Sequence, residues 1–316
     1  MATWLITGGC GFIGSHLADA LLARGDRVRI LDDLSTGKRE NLPARQELIL
    51  GNVVSSERVE QAMDGVDGCW HLAAIASVSR CNEEWIPSHQ VNQTGSIRVF
   101  EAARRLGRQG RPIPVVYASS AAVYGDNPAL PVAETAEARP LTAYGADKLG
   151  SELHARVAAG VHGVGSTGLR FFNVFGPRQD PDSPYSGVIS IFARRILDSL
   201  PILIHGDGGQ IRDFIYVGDV VRFLLRAMER TAPGRAEIFN VCTGGAVTIL
   251  ELAQLLSRLG GQELRIEHGP ARSGDIRASS GDPGRAARLL GLRAEWPLEL
   301  ALGQTLAGLA ERSQAS

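Results

Sequence analysis

Apolar residues gather in short runs through the first half of the chain, and between most runs they recur at three- and four-residue intervals. The runs TWLIT (3–7), RVRIL (27–31), ELIL (47–50), CWHLAA (69–74), PVVYASS (114–120) and TGLRFF (167–172) predict strands. In SHLADALLARG (15–25), Leu17, Leu21 and Leu22 share a helical face, and Gly25 suits the terminating position. Such alternation predicts βαβ units with right-handed crossovers, and hence a parallel sheet covered on both faces. The expected class is α/β: a Rossmann-type doubly wound parallel sheet with a smaller C-terminal α/β substrate domain.

The second half is less regular. RDFIYVGDVVRFLLRAM (212–228) leads into a helix that Asp219 is placed to cap. VTILELAQLLSRLGG (247–261) has the capping-box pattern Thr248-x-x-Glu251. DPGRAARLLG (282–291) sets Asp282 at a cap and Pro283 in the first turn. The expected division is 1–172, to which a segment near 213–243 returns, and 173–316.

Composition narrows the function classes. A chain of 316 residues with 44% hydrophobic content can bury a full core. A net charge of -1 and a pI near 6.7 supply no basic field for nucleic acid. No apolar run approaches a membrane span, and the opening MATWLITGGCGF lacks the features of a secretory signal. Cys10, Cys69, Cys81 and Cys242 show neither CxxC spacing nor nearby histidine clusters. Reduced thiols in the cytoplasm are expected, with no disulfide and no metal site.

Two stretches carry candidate chemistry. LITGGCGFIGSHL places Gly8, Gly9, Gly11 and Gly14 between the first strand and the first helix, matching G-x-G-x-x-G and G-x-x-G-x-x-G. Without β-carbons the backbone can turn tightly and approach a pyrophosphate at a helix N-terminus. The next strand ends in ILDDLSTGK, where Asp32 is placed to accept from adenosine ribose hydroxyls and to repel a 2′-phosphate. That favours NAD, while Lys38 and Arg39 leave NADP open; a solvated turn carboxylate is the plainer reading. In LTAYGADKLG, Tyr144 and Lys148 stand four apart on a predicted helix. This spacing fits an ordinary surface pair or a base beside its activating charge.

With TGGCGFIG, LDDLSTGK, HLAA, VYASSAAVYG, YGADK, LRFFNVFGPRQDP, GDGGQIRDFIYVGDV and RSGDIRASSGD in order, the chain resembles the extended short-chain dehydrogenase/reductase family nearly end to end. Within it, the likeness is to the NAD-dependent UDP-sugar 4-epimerases. The resemblance implies catalysis by Tyr144, Lys148 and Ser120. It places Gly8, Gly11, Phe12, Ile13 and Gly14 against NAD, then Asp32, Asp33, Ser35, Thr36 and Gly37. Asn52 and Val53, Leu72, Ala73 and Ala74, and Asn92 with Tyr144, Lys148 and Phe171 complete that implied set. For the nucleotide sugar it implies Ser77, Ser120, Tyr144, Asn173, Val188, Arg212, Arg272, Asp275 and Ser279.

A free tyrosine, with a pKa near ~10, is too weak an acid to serve as a base at neutral pH, so adjacent positive charge must favour its phenolate. The implied reaction is a transient oxidation at the sugar C4, rotation of the 4-keto sugar and return of hydride to its other face. Similar dehydratases carry Asp-Glu just after the serine, and decarboxylases a glutamate; here Ala121 and Ala122 stand instead. A small Ser279 implies room for an N-acetyl group, which points to UDP-GlcNAc/UDP-GalNAc, UDP-Glc/UDP-Gal, or both. Asn52 departs from a common adenine-contacting Asp, and Ala76 from a phosphate-contacting lysine. The alternatives are a relative acting on a uronic acid or deoxy sugar, and a non-catalytic NAD-sensing protein. By analogy with the family, a homodimer through helices near 92–108 and 143–160 is expected.

Overall fold

A computed structural model of the chain describes residues 1–43, 46–107, 110, 112–181, 187–271 and 276–315, the side chains of 312–315 excepted. Strands form at Thr3–Thr7 (β1), Arg27–Asp32 (β2), Glu47–Leu50 (β3), Gly68–His71 (β4), Val115–Ser120 (β5) and Ser166–Phe171 (β6). The order across the seven-stranded sheet is Ala236–Val241, β6, β5, β4, β1, β2, β3. Every register from β3 to β6 is parallel, as strand–helix alternation requires. The expected α/β Rossmann-type sheet is thus the observed one.

The predicted runs hold to within a residue or two, except that β4 stops at His71 rather than Ala74. The Ala73 N–H leaves the ladder and donates to Thr7 Oγ1 at 3.2 Å, which turns the chain out of the sheet. The first helix, Phe12–Ala23 (α1), starts three residues earlier than its apolar stripe suggests, directly after the glycine turn. Gly25, at φ +80°, terminates it as expected.

Ser56–Met63 (α2), Val78–Glu83 (α3), Trp85–His89 (α4), Gly95–Arg105 (α5) and Ala143–His162 (α6) follow. On one face of the sheet Leu5, Leu31, Cys69 and Val115 pack with Val59, Met63, Val99, Phe100 and Ala155 from α2, α5 and α6. Elsewhere in the same unit Trp70 packs at a tilt against Trp4, with ring centres 5.0 Å apart, and donates to Leu224 O at 3.0 Å.

The chain divides into two compact units. The first comprises Met1–Gly125, Ala138–Phe171 and Val221–Phe239; the second comprises Asp126–Glu137, Phe172–Val220 and Asn240–Ser316. Residues 126–137 lie within the span expected of the N-terminal domain but group with the second unit. The cause is backbone pairing: Val132 N donates to Ser280 O, and Asp282 N donates to Val132 O. The core of the second unit gathers Phe175, Phe192, Ile202, Leu252, Leu256 and Leu302.

Capping differs in two places. The Thr248–Glu251 capping box is present at helix Ile249–Leu259. Asp219, however, is the third residue of helix Val217–Arg230, and its carboxylate accepts from Glu295 N and Trp296 N. Pro283 is itself the cap residue of Gly284–Leu289, while Asp282 accepts from Gly284 N at 2.7 Å.

Trp70 fills one of the largest fully buried volumes, so Trp70→Ala should cost about 3–5 kcal/mol of unfolding free energy. Urea denaturation of the two proteins measures this, and a loss below ~1 kcal/mol would contradict the packing.

Candidate functional site

Strand order reverses between β1 and β4, and in open α/β sheets the carboxyl ends of strands at such a point border the ligand crevice. Here the turns after β1 to β4, with α4, α6 and the end of β6, enclose a cleft of about 570 Å³.

The glycine turn forms its floor. Gly8 has φ +72°, and a Cβ there would lie 2.7 Å from Ala73 N. A Cβ on Gly14 would meet Gly8 O at 2.3 Å. Gly11 caps α1 with no side-chain hydrogen bond, which leaves first-turn N–H groups for an anion. Gly8, Gly11, Phe12, Ile13 and Gly14 all line the cleft, so a diphosphate fits this cradle.

The far end is walled by the turns after β2 and β3. Asp32, Asp33, Ser35, Thr36 and Gly37 line it, with Asn52 and Val53 opposite. Asp32 is almost buried and accepts from Cys10 N and Leu34 N at 2.9 Å each. Burial pushes its carboxyl pKa up, and those two backbone donors pull it back. Asp33 accepts from Ser35 N, Ser35 Oγ and Asn52 Nδ2, so Asn52 ties the two turns together. Lys38 and Arg39 do not line the cleft.

The near end is made by Leu72, Ala73, Ala74, Phe171, Tyr144 and Lys148. Thr142 caps α6 by accepting from Gly145 N, placing Tyr144 in the first turn and Lys148 one turn on. Lys148 is buried and donates to Ala118 O at 3.0 Å, with Nζ 5.6 Å from the Tyr144 ring centre. Desolvation pushes the Tyr144 phenol up to about 12, opposed by a hydrogen bond with Ser120. Desolvation lowers the Lys148 ammonium to about 8, against weaker support from Cys81 and Asp147. His71, bonded to Thr7 Oγ1 and Ser96 Oγ, is lowered to about 3 by burial and by Lys148, so it stays neutral. Ser120 ends β5, and its Oγ accepts from Ala122 N at 3.1 Å.

Asn92 is placed differently from its expected position on the wall. It is buried, and its amide clamps both backbone groups of Ile75, which lines the cleft in its stead. Sequence reasoning also missed Arg80, Pro87, Gln90 and Val91. The last three stand at i, i+3 and i+4, a helical spacing that marks one face. Ser77 caps α3 by accepting from Arg80 N.

In the second unit, Asn173, Arg212 and Ser279 meet around Asp213. Asn173 N and Nδ2 both donate to Asp213 O, Asp213 N donates to Ser279 O, and Ser279 pairs with Arg212 in register. The Asp213 carboxylate accepts from Thr243 N, Thr243 Oγ1 and Gly244 N. Val188 opens helix Val188–Leu197. Arg272 and Asp275 lie outside the described residues. Among the described residues no group of His, Cys, Asp or Glu could hold a metal ion, and no helix is long and apolar enough to cross a membrane.

A parallel Rossmann sheet with a glycine-floored cleft at its switch point defines a dinucleotide-binding protein. More particularly, the chain belongs to the NAD dependent epimerase/dehydratase family, whose model matches residues 4–242; the cofactor is NAD. It is 35% identical to a UDP-glucose 4-epimerase of Mycolicibacterium smegmatis over 97% of each chain. It is 33% identical to a UDP-N-acetyl-alpha-D-glucosaminuronate decarboxylase of Bacillus cytotoxicus, over 84% of this chain and 83% of that one. A crystal structure of UDP-glucose 4-epimerase from Thermotoga maritima with UDP-glucose superposes with a TM-score of 0.93 at 34% identity, covering 98% and 99% of the two chains. A UDP-N-acetylglucosamine 4-epimerase from Methanobrevibacter ruminantium in complex with UDP-N-acetylmuramic acid gives 0.92 at 33%, with the same coverage.

Gly14→Ala should abolish retention of dinucleotide, measured as NAD released from denatured protein, while the circular dichroism spectrum is kept. Undiminished NAD would exclude the proposed cradle. The unfolded chain binds the Lys148 proton up to 10.5, the folded chain only up to about 8. This group therefore makes the NAD-free protein more stable as pH rises from 8 to 10.5. Urea midpoints across that window should rise more in wild type than in Lys148→Met; equal slopes would refute the lowered value.

Proposed function

We propose that this protein is an NAD-dependent 4-epimerase of UDP-sugars, an isomerase that interconverts UDP-GlcNAc and UDP-GalNAc, UDP-Glc and UDP-Gal, or both. The observation that carries the reading is Tyr144 and Lys148 together on the cleft wall, with Ser120 acting to lower the pKa of the phenol. NAD, when bound, supplies a reversible hydride acceptor and a positive charge. The first unit holds it, with the glycine turn at the diphosphate and Asp32 at the ribose. A phenol at about 12 stays protonated at neutral pH, so the reading requires the Lys148 ammonium and the charge of bound NAD to favour its phenolate. Tyr144 then takes the proton of the sugar 4-hydroxyl as C4 is oxidised, and Ser120 hydrogen-bonds that oxygen. After the 4-keto sugar turns over, Tyr144 returns the proton, giving the inverted centre with no net redox.

Ala121 and Ala122 form part of the turn after Ser120 and offer no carboxylate for elimination. This favours epimerisation over dehydration or decarboxylation. The decarboxylase relative keeps a second reading in view, a uronic-acid or deoxy-sugar substrate. In the second unit, Asn173 and Arg212 contact the sugar diphosphate, and Ser279 leaves space for an N-acetyl group; Ser77 and Val188 complete the substrate set. Arg272 and Asp275 are proposed for the nucleotide. The enzyme is a cytoplasmic homodimer in this reading. Leu153, Val157 and Val161, four apart and exposed on α6, supply the apolar stripe for a second copy.

Purified protein without added NAD should interconvert these UDP-sugars by sugar NMR, and Tyr144→Phe should lower kcat roughly 10²–10⁴-fold. Inactivity on all four with NAD bound sinks the reading and favours another sugar or a sensor. Ser279→Tyr should cut kcat/KM for UDP-GlcNAc roughly 10–200-fold relative to UDP-Glc. Val157→Glu should shift the mass by light scattering from dimer to monomer.

A further inference from the structure

Four segments carry or flank the catalytic side chains: β5, the turn Ala121–Tyr124, β6 and α6. One buried ion pair touches all of them. Arg170 on β6 and Glu152 on α6 form a two-point fork, Nε to Oε1 at 2.8 Å and Nη2 to Oε2 at 2.6 Å. Both side chains are excluded from solvent, at 4% and 0% exposure. Ser119 donates to Glu152 Oε1 at 2.6 Å, and it lies directly beside Arg170 in the sheet. The Arg170 guanidinium covers the Tyr124 ring at 4.6 Å. Ser120 is therefore held from both sides, through Ser119 before it and the turn ending in Tyr124 after it.

Glu152 stands one turn beyond Lys148 and two beyond Tyr144, on the helix that sets both. A buried ion pair commonly gives no more stability than apolar residues of equal volume. A two-point fork does fix direction, holding the helix to one register against the two strands. We propose that Glu152 and Arg170 are positioning residues that set Ser120 relative to Tyr144 by locking α6 onto the ends of β5 and β6. The inference rests on the reading of Tyr144 as the base.

The test uses the NAD-loaded full chain in Glu152→Gln, Arg170→Lys and Ser119→Ala. The last removes one hydroxyl and leaves the ion pair, so it remains informative if the others fail to fold. Misplacement of a catalytic group by about 1 Å costs on the order of 10²-fold in rate. Glu152→Gln should approach that loss in kcat with KM within about threefold, and Glu152→Asp should recover part of it. Ser119→Ala should show the same split at smaller size.

A second readout needs no turnover: ultraviolet difference titration of the Tyr144 phenol, with Tyr144→Phe as the blank. The groups acting on that phenol are Ser120 from β5 and Cys81 from α3, with Lys148 of α6 5.6 Å from the ring centre, and the variants keep all three. Loosening the Ser120 contact should raise the titration midpoint in Glu152→Gln and in Ser119→Ala. Lowered melting temperature with unchanged kcat and midpoint would make the pair a structural clamp only and overturn the proposal. An inactive wild type would sink the epimerase reading instead, while the titration still decides the positioning.

Discussion

The constraint on which the rest depends is how closely two backbone turns approach each other. The turn after β1 lies against the turn after β4 with no space for a side chain, a Cβ on Gly8 falling 2.7 Å from Ala73 N. That contact brings the N-terminus of α1 beside the carboxyl ends of the central strands. A diphosphate held there needs no cationic side chain, because backbone N–H groups and the helix dipole receive it.

The second organising factor is desolvation. Tyr144 and Lys148 are displaced in opposite directions, the phenol to about 12 and the ammonium to about 8, so burial disfavours the charged form of each. In the proposed mechanism that burial must be offset, by the ammonium and by the charge of bound NAD, before the phenolate can form. The neutral His71 below them adds no competing charge. At Arg170 burial disfavours the charged guanidinium, and the hydrogen bonds it donates to Glu152 more than offset this.

Much of this was legible in the sequence because it rests on local pattern. Short apolar runs located β1 to β6, three- and four-residue apolar spacing located α1, and glycine spacing located the floor of the cleft. Three things were not legible, each for a reason of long-range geometry. Asn92 reads as a wall residue until its amide is found bonded to Ile75, seventeen positions away. Asp219 looks like a cap, yet it accepts from a backbone more than seventy residues on. Asp213 offers no motif at all, although it joins Asn173, Thr243 and Ser279. Spacing along a chain reports which residues share an element, and it carries no information on which distant loop supplies the partner.

The short segment Asp126–Glu137 has a consequence for how the molecule can be taken apart. With it, the chain passes from one unit to the other five times, at residues 125, 137, 171, 220 and 239. No single cut therefore yields an intact half, since Val132 supplies backbone partners to Ser280 and Asp282 from far upstream. Each unit is stitched from pieces that ribosomal synthesis delivers at different times. The first cannot be complete before Phe239 has emerged, and the second must wait for the final helix. Assembly is thereby made a property of the whole polypeptide.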